Sequence, residues 1–186
     1  NGFDAVQARV IVATVRAIKY HGGVDVRELD HENPRALGKG LSNLERHVDN
    51  VRNVYGVPCV VAINRFEGDR PADHRTITKF CTRMGVEAVV ADNYRKGGAG
   101  AVDLAQAVLR SIAKNRGRKL HFLYRLDEPL VRKIERIAQA VYGASGVDLD
   151  NSAENDLELL EKHGYGSLPV CIAKTNKSLS DDAEKR

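Results

Sequence analysis

Short runs of β-branched residues recur along this chain, and stretches with helical three-and-four spacing fill the gaps between them. That alternation constrains the fold more than any other feature. Each strand–helix step returns the chain to the same end of a sheet, which makes the sheet parallel and places helices on its faces. Residues 9–15 (RVIVATV) form the first run and read as a buried strand. Residues 57–63 (VPCVVAI), 87–91 (EAVVA) and 168–173 (LPVCIA) read as further strands. Residues 121–124 (HFLY) are apolar but too short to assign.

Helices are expected between these runs. One opens at Asn33-Pro34, keeps Leu41, Leu44, Val48, Val51 and Val54 on one face, and stops at Gly56. A second opens at Pro71 and closes at Gly85; a third covers 101–113 after the GGAG turn at 97–100. Residues 128–142 and 153–163 complete the set, each followed by a glycine. The expected fold class is α/β, a mostly parallel sheet with helices on both faces, in one domain over 1–186 whose last residues, 181–186, read as a disordered cut end.

Composition excludes several functions. The chain has 186 residues, 42% hydrophobic and 29% charged, which suits a soluble globular domain with its own core. No apolar run approaches the roughly 20 residues of a membrane span. No signal-peptide pattern opens the chain, and the missing initiator Met reads as a start in mid-protein. The net charge of +4 is spread out, and the densest basic stretch, 114–119 (KNRGRK), reads as a solvated helix end. Aromatic residues, 5% of the chain, do not interleave with the basic ones, which argues against nucleic acid. Cys59, Cys81 and Cys171 form no CxxC pair and read as buried, reduced thiols of a cytoplasmic protein. The six His show no metal-ligand spacing, so no metal site is expected.

In an open α/β sheet, ligands bind beyond the carboxyl ends of the strands, and four segments there carry chemistry. Residues 14–23 (TVRAIKYHGG) gather Thr14, Arg16, Lys19 and His21, where a guanidinium and an ammonium suit an anionic phosphate or carboxylate. Residues 62–69 (AINRFEGD) place Asn64, Phe66 and Asp69 after a strand, resembling at one residue's extra spacing the NKxD element that reads a purine edge; Phe66 would stack on the base. Gly97 and Gly98 open a turn before a helix, where backbone approaches anions closely. Residues 173–182 (AKTNKSLSDD) offer Lys174, Thr175 and Ser178. There is no GxxxxGK[ST] in the chain. From the residues alone each segment is equally an ordinary polar turn.

Taken in order, IVATVRAIKYHGG, GLSNLERHVDNV, YGVPCVVAINRF, GGAGAVDLAQAV, FLY, KIERIAQAVYGASGV and LPVCIAKTNKSLSDD resemble formate–tetrahydrofolate ligase over nearly the whole chain. The resemblance implies a P-loop NTPase-like core lacking its P-loop portion. It implies an enzyme that uses ATP with magnesium, formate and tetrahydrofolate as co-substrate, and makes 10-formyltetrahydrofolate through formyl phosphate. It admits a monovalent cation, and implies a cytoplasmic homo-oligomer of the full-length enzyme with small-molecule partners. Thr14, Arg16, Lys19 and His21 would then lie at the reaction centre, with Arg16 neutralising charge on the acyl phosphate. Asn64, Phe66 and Asp69 would hold adenine. Lys174, Thr175 and Ser178 would lie near the nucleotide and folate pocket. Departures fall in loops: Arg70 follows Asp69 where the family has Thr, and Asp92-Asn93-Tyr94 stands where it has a Trp. The isolated chain is expected to be marginally stable and inactive. The alternatives are a non-catalytic α/β nucleotide-binding module and an interaction protein with a basic face, the latter marked by strong salt dependence.

Overall fold

Three parallel strands, β1 (Arg9–Ala13), β2 (Cys59–Asn64) and β3 (Glu87–Ala91), lie side by side in the order β1-β2-β3. The computed structural model to which they belong describes residues 6–115 and 120–173. The chain divides into two units, Asn1–Leu120 and His121–Arg186, and the sheet belongs to the first. Register pairs Ala13 with Ile63 and Asn64 with Ala91, so the three strands end at nearly the same level.

β2 is apolar from Cys59 to Ile63 because both of its faces are covered. On one face Cys59, Val61 and Ile63 join Ile11 and Ala13 in a core with Ile18, Leu37, Leu41, Leu44, Val48, Ile77 and Cys81. These come from α1 (Val15–His21), α2 (Pro34–Asp49) and α3 (Pro71–Arg83). On the other face α5 (Val102–Lys114) packs on β2 and β3, with Ala107 fully buried. The α/β architecture with helices on both faces is thus as expected. The first strand is not buried as expected: Val10 and Val12, in line with Val60 and Ala62, are 43% and 65% exposed beside α5.

β1 is also shorter than the apolar run suggests. Thr14 takes an extended conformation and its hydroxyl accepts the Ala17 N–H, so it caps a helix that begins at Val15. Capping wins over the β-preference of the Thr-Val pair because it satisfies an otherwise unpaired helical donor. The end of this short helix meets α2 at two glycines, Gly22 at its cap and Gly40 in α2. A Cβ on Gly40 would sit 1.8 Å from the Ile18 carbonyl oxygen, and one on Gly22 would sit 1.9 Å from that of Ala36.

α2 starts as the sequence suggests, with Pro34 in the first turn and the Asn33 side chain accepting the Ala36 N–H. It ends in a π-helical turn, Asn50–Val54, before Gly56. α3 begins at Pro71, and β3 has the bounds expected of it. The glycine turn is itself a short 3-10 helix, Gly97–Ala101, preceded by α4 (Asn93–Lys96).

The second unit contains α6 (Leu130–Ile137), a π-helical turn (Ala138–Tyr142) and α7 (Asn151–Lys162), whose first turn is capped by Asp150. The strand expected over 168–173 is absent. Its backbone is held by side chains instead. Lys133, fully buried, donates to the carbonyls of Gly166 and Leu168 at 2.6 and 3.0 Å. The Tyr124 hydroxyl donates to the Val170 carbonyl and accepts its N–H. Without a neighbouring strand, an apolar sequence does not make a sheet. Cys171, expected to be buried here, is exposed.

Candidate functional site

Because the strands are parallel and end level, the segments after β1, β2 and β3 meet at one edge. Neighbouring strands lie about 5 Å apart, so Thr14 and Asn64, level with Ala91 at the strand ends, lie one residue short of the level of Arg65 and Asp92. Three of the four expected segments therefore converge. The fourth, with Lys174, Thr175 and Ser178, lies outside the described residues.

The first segment divides along its helix. Thr14 spends its hydroxyl on the cap of α1. Arg16, 38% exposed, pairs with Asp30, which is 73% exposed. Lys19 turns inward: its ammonium donates to the Leu29 and His31 carbonyls at 3.3 and 2.9 Å and lies 3.6 Å from the Asp73 carboxylate. His21 sits at the far end of α1, edge-on to Tyr20. It lies close enough to His47 of α2 to add to the burial that pulls the His47 pKa down. Of the four residues, Arg16 has the side chain most able to change partners, because ion pairs in water are worth about 0–1 kcal/mol.

The second segment forms a tight turn. Asn64 is half-buried at the end of β2, and Phe66 is 46% exposed. Asp69 points back into the turn, where one carboxylate oxygen accepts the Phe66 N–H at 3.0 Å and lies 3.1 Å from His74 Nε2. Asp69 therefore shapes the loop that presents Phe66. Arg70 pairs with Glu32, tying the loop between α1 and α2 to the start of α3; Lys19 and Asp73 make a second tie between the same regions.

In the third segment Gly97 has φ +57° and ψ −143°, a conformation that L side chains avoid. A Cβ on Gly100 would sit 2.3 Å from the Asp92 carbonyl oxygen. That approach lets the Asp92 N–H donate to the Gly100 carbonyl, folding the glycine turn onto the end of β3. Asp92 and Arg65 are the residues that sequence reasoning passed over. Their signal was positional: each is the first residue beyond a strand. The Arg65 guanidinium lies 3.4 Å from Asp92 Oδ2.

Among the described residues no group of three or more His, Cys, Asp or Glu converges on a metal-holding geometry. Nor is any helix among them long and apolar enough to cross a membrane. The edge as built offers a movable guanidinium, an exposed aromatic ring, an amide and a buried carboxylate beside a glycine turn. Such a set suits an anionic ligand that carries a flat heterocycle.

Comparison with known proteins shows the family to which the chain is similar. The family described as formate–tetrahydrofolate ligase matches residues 3–186. A formate–tetrahydrofolate ligase of Methylobacillus flagellatus is 44% identical over 179 residues, which cover 96% of this chain and 32% of that protein. One of Methylibium petroleiphilum is 44% identical over 185 residues, covering 98% of this chain and 32% of that protein. The chain spans about a third of the length of these curated relatives.

Proposed function

The chain belongs to the formate–tetrahydrofolate ligase family, and from that premise we propose that the natural polypeptide carrying it joins formate to tetrahydrofolate at the expense of ATP. A formate oxygen attacks the γ-phosphorus, and ADP leaves. The N10 amine of tetrahydrofolate then attacks the formyl carbon of the formyl phosphate, loses its proton and expels phosphate. The products are 10-formyltetrahydrofolate, ADP and phosphate. Magnesium, arriving with ATP, supplies charge neutralisation on the phosphates.

The observation that carries this reading is the convergence of Arg16, Asn64 and Phe66 at one sheet edge in a chain 44% identical to ligases of that name. Arg16 exchanges its exposed partner Asp30 for the acyl phosphate, where a guanidinium in a less watery site stabilises developing charge far better. Phe66 stacks on the heterocycle, and Asn64 meets its polar edge. Gly97 and Gly98 bring backbone close to the ligand. Lys19 and Asp69 act by holding α1 and the Phe66 turn in place, and Thr14 by starting α1. For Lys174, Thr175 and Ser178, which lie outside the described residues, family membership implies a part in binding nucleotide and folate. The sequence given holds no GxxxxGK[ST] loop to grip the phosphates.

The test is turnover. The natural polypeptide should form 10-formyltetrahydrofolate from formate, ATP and tetrahydrofolate, and Arg16→Ala should lower kcat roughly a hundredfold. Binding of ADP without any turnover would replace this reading with a nucleotide-binding module. The chain spanning 1–186 alone should show no turnover above background.

A further inference from the structure

Asp92 is a buried carboxylate whose local structure leaves part of it unused. It sits at the N-cap position of α4, where an Asp ordinarily accepts a helical N–H, yet its side chain makes no capping bond. Its backbone is fixed on both sides: the N–H donates to the Gly100 carbonyl at 3.1 Å, and its own carbonyl accepts the Lys96 N–H at 3.0 Å. The close approach of Gly100 leaves no room for the peptide to shift. The side chain, 8% exposed, is therefore held beyond the end of β3 beside Arg65.

Its two oxygens differ. Oδ2 lies 3.4 Å from the Arg65 guanidinium and 3.8 Å from the Lys96 ammonium. Oδ1 is buried and has no hydrogen-bond partner among the described residues. A carboxylate oxygen withdrawn from water without a donor destabilises the fold. Such a cost is retained where a ligand removes it. The side chains that reach this carboxylate, Arg65 and Lys96, are 37% and 62% exposed, so both are free to swing aside. Two cations already neutralise Oδ2, which makes a neutral N–H a better match for Oδ1 than a third positive charge.

Resting on the function proposed above, we propose that Asp92 is a specificity-determining residue whose Oδ1 accepts an N–H from the amino-bearing edge of the bound heterocycle. Adenine and the reduced pteridine of tetrahydrofolate both present such an edge. Phe66 of the neighbouring turn offers a ring face, and Asp92 reads the polar rim.

The experiment uses the natural polypeptide carrying this chain, titrated calorimetrically with four probes: ADP, inosine diphosphate, tetrahydrofolate and its 2-desamino analogue. Replacing an amine by an acceptor or by hydrogen removes the donor to Oδ1. The unaltered protein should prefer one amino ligand over its partner roughly ten- to a hundredfold, and Asp92→Leu, which leaves no acceptor, should abolish that preference. Preference within the ADP pair assigns the site to the nucleotide; preference within the folate pair assigns it to the pteridine. Equal affinity within both pairs for the unaltered protein overturns the proposal, whatever the variant's stability. A preference that survives Asp92→Leu also overturns it. Failure of the unaltered protein to bind either ADP or tetrahydrofolate overturns the proposed function itself, which distinguishes the two.

Discussion

The ammonium of Lys19 lies 3.6 Å from the carboxylate of Asp73, with side chains only 3% and 6% exposed. A buried lysine is tolerable only when its charge and its donors are all matched. Here the carboxylate matches the charge, and the Leu29 and His31 carbonyls take two donors. The pair thus joins α1 and the following loop to α3.

Lys19→Met should therefore act on stability before chemistry. It would strand the Asp73 carboxylate and two carbonyls, a loss of about 3–5 kcal/mol for breaking a buried pair from one side. The double variant Lys19→Met with Asp73→Leu should be less destabilised than the sum of the single changes, because the second removes the stranded charge. Denaturant unfolding of the four proteins measures this. Additive losses would show that the two groups do not communicate.

Two glycines of α2 should respond oppositely to one substitution. Gly40→Ala drives a methyl group into the Ile18 carbonyl, where 1.8 Å is available. The helices must separate, at a cost of about 1–3 kcal/mol. Gly38→Ala meets nothing within 4 Å, and should stabilise by about 0.5–1 kcal/mol because alanine is the better helix former. Thermal unfolding midpoints that move in opposite directions would bear this out.

Where the sequence was legible, the signals were local. Pro71 starts α3, Asn33-Pro34 starts α2, and the β-branched run of β3 has no competing cap. Where it misled, the deciding partner was elsewhere or hidden. The Thr14 cap is masked by the apolar run it interrupts, so α1 was invisible. Residues 168–173 have strand composition but find Lys133 and Tyr124 in place of a neighbouring strand. The position of Asn64 at a strand end, and of Arg16 and Phe66 just beyond strand ends, could be read directly. That Lys19 and Asp69 face inward could not, because their partners Asp73 and His74 are set by how α3 packs.

His47 makes stability depend on pH. Burial, and next the charge of His21, lower its pKa below the ordinary 6.5. The folded chain therefore holds it neutral, while the unfolded chain protonates it near that ordinary value. Its contribution is fully present above about pH 6.5 and is lost as pH falls toward the folded pKa. His47→Gln should flatten the fall in unfolding free energy below about pH 6.5. An unchanged slope would mean that other groups cause it.

Thiol chemistry should separate the three cysteines. Burial pushes the Cys59 and Cys81 thiols up to about 11, so little thiolate exists at pH 8. Cys171 is exposed. Iodoacetamide at pH 8, followed by peptide mass analysis of the 1–186 chain, should label Cys171 first. Cys59 and Cys81 should react only after denaturation.

The backbone at Val170 gives the most local test. Its N–H and carbonyl both bond one hydroxyl, that of Tyr124, at 2.9 and 3.1 Å. Tyr124→Phe removes both bonds while leaving the ring beside Lys133. The Val170 amide should then exchange with solvent roughly fivefold faster or more, since losing a hydrogen bond worth about 1 kcal/mol or more lowers local protection in proportion. Amides of α7, which has its own cap at Asp150, should keep their rates. If those amides speed up equally, Tyr124 supports the whole unit. If Val170 alone responds, the segment leading to Lys174 is held by side chains in the role a neighbouring strand would play.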